Sequence, residues 1–119
     1  MNVLLSIYWV PFAAGWMFAN GILHDIFVLI RHKDGYNRDL LRLLMDGHLL
    51  ILSGTILFVC YLLMRAGNSY GAIISIIIAV SMLIYCAMIF PFLKSFVTTA
   101  ISLMLILVSV KFLLSIPGN

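Results

Sequence analysis

Four apolar runs, each about 20 residues or more, follow one another with only short polar breaks between them. That pattern leaves the chain few folds to choose from, because a helix needs roughly 20 mainly apolar residues to cross the hydrocarbon of a bilayer. The runs cover about 3–30, 40–64, 70–93 and 96–116. In hydrocarbon every backbone N–H and C=O must be satisfied within its own segment, which selects helices. The runs are continuously apolar rather than alternating, so a β-barrel is excluded. The breaks HKDGYNRD, RAGNS and PFLKS are short, and short connections make sequential neighbours antiparallel. The sequence therefore predicts an all-α integral membrane protein, an antiparallel bundle of four transmembrane helices forming one domain over 1–119.

Composition supports this solvent. Of the 119 residues 65% are hydrophobic and only 9% charged, against about 25% charged in a soluble domain. So little charge would not cover a water-facing surface. The net charge of +3 is too small and too local for a nucleic-acid partner, and the chain has no Glu. In a membrane protein such bases report orientation. Arg31, Lys33, Arg38 and Arg42 flank the first break and Lys94 lies in the third; Arg65 and Lys111 belong to the other side. The positive-inside rule then puts loops 31–39 and 94–95 in the cytoplasm and both termini outside. The four bases around the first loop are also placed to touch anionic lipid head groups. The first ten residues carry no Lys or Arg and the apolar run continues to Ile30, which reads as a retained first helix rather than a cleaved leader. Cys60 and Cys86 fall in apolar runs at different depths, so no disulfide between them is expected.

Helix signals are local. Asn37 or Asp39 is placed to cap the second helix, Gly67 to end it, and Pro91 to end the third; Pro11 lies in the first segment, where it can kink a helix. Gly15, Gly21, Gly47 and Gly54 are expected to let helices approach closely.

Ionisable residues inside a spanning segment are costly and usually face the bundle or a wet cavity. Here they are His24 and Asp25 on the first helix and Asp46 and His48 on the second, with Asn20 one turn before His24. His24 lies 12 residues before Tyr36 and His48 lies 12 after it. In an antiparallel hairpin such positions share a depth, here about 10 Å inside the basic loop. Direction separates them further. Adjacent helical residues point about 100° apart and residues two apart about 200°. One four-ligand His2Asp2 site would therefore be strained, whereas Asn20 and His24, four apart, share a face. Tyr85 and Cys86 on the third helix and Thr98, Thr99 and Ser102 on the fourth are expected near the same depth. Together with Asn20, His24, Asp25, Asp46 and His48 they could frame a small pocket toward the cytoplasmic side.

Plainer roles exist for the same residues. Asp46 can pair with Arg42 as an i,i+4 partner, and each His can simply satisfy a backbone carbonyl. Three functional classes stay open. His24 and His48 can ligate a metal or a haem b. A His/Asp pocket of low polarity can bind or transform a small apolar or lipid-like ligand, with imidazole moving protons. Alternatively, the polar residues can carry protons in a transporter protomer or an accessory subunit, since a chain this small would need a homo-oligomer or a larger membrane complex to enclose a path. No motif here names a reaction.

Overall fold

The computed structural model describes residues 7–91 and 95–116. Among the described residues four helices occur in chain order: α1 (Trp9–Arg31), α2 (Arg38–Arg65), α3 (Ser69–Ile89) and α4 (Phe96–Ser115). All four are long and apolar enough to cross a membrane, and among the described residues there is no strand. The chain is an integral, multi-pass membrane protein with an all-α bundle fold. On α2, Arg42 and Arg65 stand 23 residues apart, roughly 35 Å along the axis. That span fits a hydrocarbon core of about 30 Å with a charged residue at each margin.

The helix ends follow their local chemistry. The Asn37 side chain accepts a hydrogen bond from the Leu40 backbone N–H at 2.9 Å and caps α2, while Asp39 sits in the first turn, where the helix dipole favours an acid. Arg31 and Arg65 occupy the last turns of α1 and α2, again with the dipole. Gly67, at φ +80°, ends α2; its N–H donates to Met64 O at 3.0 Å and the Asn68 N–H to Leu63 O at 2.9 Å. This is a Schellman ending, which needs a left-handed residue at that point. Asn68 then caps α3 by accepting from the Tyr70 N–H at 2.9 Å.

Several boundaries depart from expectation. The third helix stops at Ile89 rather than near 93, with Phe90 and Pro91 in a turn; Pro91 has no N–H to continue the ladder. Pro11 lies in the first turn of α1, as its third residue, where the backbone donor has no intrahelical acceptor to lose. The expected start of the first helix near Val3, and Lys94 with its topological role, lie outside the described residues.

Around the bundle each helix packs on its neighbours in sequence, and α4 closes the ring on α1. The closest approach is between α1 and α2. A Cβ on Gly21 would stand 2.5 Å from Gly47 O and 2.8 Å from Ile51 N, and one on Gly54 2.6 Å from Ala14 O. Small residues are thus what lets the two backbones touch. Gly15 is not part of this seam: nothing lies within 4 Å of a Cβ built there. Gly71, which would meet Cys60 O at 2.6 Å, plays the same part between α2 and α3. The core comprises Val10, Met17, Leu57, Met82 and Leu105, with Ser75, Ser102 and Ser109 fully buried where α3 and α4 meet their neighbours. Cys60 and Cys86 are free and buried.

Candidate intramembrane pocket

A cavity of about 560 Å³ opens among all four helices. From α1 it takes Trp16, Asn20 and His24, three residues at i, i+4 and i+8 on one face. From α2 it takes Leu43, Asp46 and Leu50, again one face by spacing. Tyr85, Cys86 and Ile89 come from the last turns of α3, and Ser95 to Thr98 from the start of α4. Ser95 and the first turn of α4 therefore form one wall, so the cavity lies at the end of the bundle where α3 ends and α4 begins.

The polar groups sit on an apolar lining. Asn20, His24, Asp46, Tyr85 and Thr98, all singled out by sequence, converge here. Trp16 Nε1–H donates to Thr98 Oγ1 at 3.2 Å, tying α1 to α4 across the cavity. A hydroxyl that accepts from an indole still has its own O–H to donate. Trp16 escaped the sequence reading, although its spacing four residues before Asn20 was a usable signal. Ser102, one turn beyond Thr98, is fully buried, does not line the cavity, and its Oγ has no hydrogen-bond partner.

Asp25 and His48 fall elsewhere. They line a second groove, of about 670 Å³, on the outer side of the α1–α2 seam. Asp46 borders both spaces. His24 and His48, alike in predicted depth, thus open onto different cavities. Among the described residues no group of three or more His, Cys, Asp or Glu side chains is arranged to hold a metal ion. The ion pair observed among them is His24 Nδ1 to Asp25 Oδ1, 3.6 Å apart; Arg42, exposed on α2, is not paired with Asp46. The two facing atoms are buried and have no hydrogen-bond partner. With Nδ1 turned to the Asp25 carboxylate, Nε2 is the ring nitrogen left for the cavity. Asp25 itself lies against the α1–α2 seam, where a Cβ on Gly47 would fall on its carboxylate. No protein-family model, curated protein or solved structure matches the chain.

Proposed function

We propose that the inner cavity binds one small amphipathic, lipid-like molecule. The observation that carries this reading is the convergence of five polar side chains from all four helices on a mainly apolar space of about 560 Å³. That volume lies within the range of small-molecule sites, which pair an apolar lining with a few polar groups that fix orientation. In this reading Leu43, Leu50, Ile89, Phe96 and Val97 hold the apolar body. Asp46 accepts, the Thr98 and Tyr85 hydroxyls donate, and Asn20 does either. His24 offers Nε2 to the polar end, held by Asp25 behind it, and is the group best placed to take or give a proton.

The test is mass spectrometry of small molecules retained through mild-detergent purification. Wild-type protein is compared with Asp46→Asn, His24→Ala, the cavity-filling Leu50→Trp, and Leu107→Trp on the lipid-facing side of α4. We expect a stoichiometric molecule in the wild type and in Leu107→Trp. Leu50→Trp loses it, and the two polar variants retain about tenfold less, as expected for one hydrogen bond to a charged group. Circular dichroism verifies that each variant is folded. An identical complement in all five folded proteins, or no stoichiometric molecule in the wild type, would sink the reading.

A further inference from the structure

Each helix of the α1–α2 hairpin carries, on its outer side, a row of residues spaced alternately by four and three. On α2 the row is Leu41, Met45, His48, Leu52, Thr55 and Val59, and every member is exposed. On α1 it is Pro11, Gly15, Phe18, Ile22, Asp25 and Leu29. Two separate grooves lie along these rows: Pro11, Gly15 and Phe18 line one with Thr55 and Val59, and Asp25 lines the other with Met45, His48 and Leu52. A 4-3 spacing is the seam of helices packed side by side at a shallow angle.

The rows also hold a chemical mismatch with lipid. His48 is exposed six residues past Arg42, about 9 Å further along the helix. Asp25 sits at the same level, since its carboxylate abuts Gly47; its Oδ1 is buried against His24 Nδ1, and the part-buried side chain borders the same groove as His48. Acyl chains offer such groups nothing, and ionisable side chains within a span face protein or water instead. Neither α3 nor α4 carries an acid or a histidine, and the lysine of α4, Lys111, stands in the last part of that helix.

We infer that this face is where a second copy of the chain docks, related by a two-fold axis along the membrane normal. Such an axis preserves depth, and it sets α1 of one copy against α2 of the other. Asp25 of each copy then meets His48 of the other, so the same pair forms twice, as an isologous interface requires. The acid and the imidazole are complementary. The polar pair fixes the register, as a single polar position does in a coiled coil.

Disulfide trapping in bilayers tests this directly. Cys60 and Cys86 are 1% and 2% exposed, so the wild-type chain is a quiet background. Ile22→Cys in one tagged chain co-expressed with Leu52→Cys in another, and likewise Leu29→Cys with Met45→Cys, are expected to give the mixed oxidised dimer as the main product in at least one of the two pairs, because α1 of one copy faces α2 of the other. Leu107→Cys, 63% exposed on α4, is expected to give almost none. In the same trap His48→Leu lowers dimer yield about tenfold, whereas His48→Gln, which keeps a hydrogen-bonding group there, retains most of it. Equal trapping at Leu107→Cys, no trapping on the seam, or a His48→Leu variant that associates as well as the wild type would overturn the inference. Because His48 and Met45 lie outside the inner cavity, this outcome is independent of ligand retention.

Discussion

Trp16 shows how much a single side chain can do that its sequence neighbourhood does not advertise. Its indole reaches Thr98, 82 residues away, and that bond ties α1 to α4 beside the cavity. Removing the donor by Trp16→Phe should lower stability by about 0.5–1.5 kcal/mol, the net worth of a typical hydrogen bond. Thr98→Val should cost about the same, and the double variant no more than the larger single effect, because both remove one interaction. Equilibrium unfolding in detergent measures all three; fully additive losses would mean that the bond does not couple the two helices. Asn20 and His24 were legible because residues four apart must share a helical face. Trp16 obeys the same spacing, and the tertiary structure adds its partner, Thr98.

At the level of the helix, the backbone contact between α1 and α2 decides which polar groups can meet. Gly21 and Gly54 abut carbonyl and amide groups that cannot swing aside as side-chain tips can. Gly21→Ala is therefore expected to destabilise the hairpin by about 1–3 kcal/mol, the usual penalty for overpacking. Gly15→Ala, with open space around it, should be neutral or raise stability by up to about 1 kcal/mol through helix propensity. Thermal unfolding of the two variants side by side reads the difference, and equal effects would refute the close-approach account. The caps at Asn37, Gly67 and Asn68 were readable from sequence because capping is a matter of a few neighbouring residues. The stop at Ile89 was less so: Pro91 announces an ending but does not say how many residues before it the ladder gives out.

For the whole molecule, four spans with short connections place the first and third loops at one end and the second at the other. The positive-inside rule predicts that the end with the basic residues around the first loop faces the cytoplasm. A membrane-impermeant maleimide should then label Asn68→Cys in intact cells and Tyr36→Cys only after permeabilisation. The reverse pattern would turn the bundle over and make the inner cavity face outward. The fold class, the number of spans and the shared depth of the polar residues were set by the sequence alone, because hydrocarbon thickness and helical rise convert residue counts directly into depth. Direction was another matter. Periodicity relates each residue only to its own helix axis, and says nothing of how that axis is rotated against its neighbours. The glycine contacts set that rotation: Asn20, His24 and Asp46 turn inward to meet Tyr85 and Thr98, while Asp25 and His48 are left on the outer side of the same seam. Two histidines equidistant from one loop thus came to open onto different spaces, which only the packing of α1 on α2 could decide.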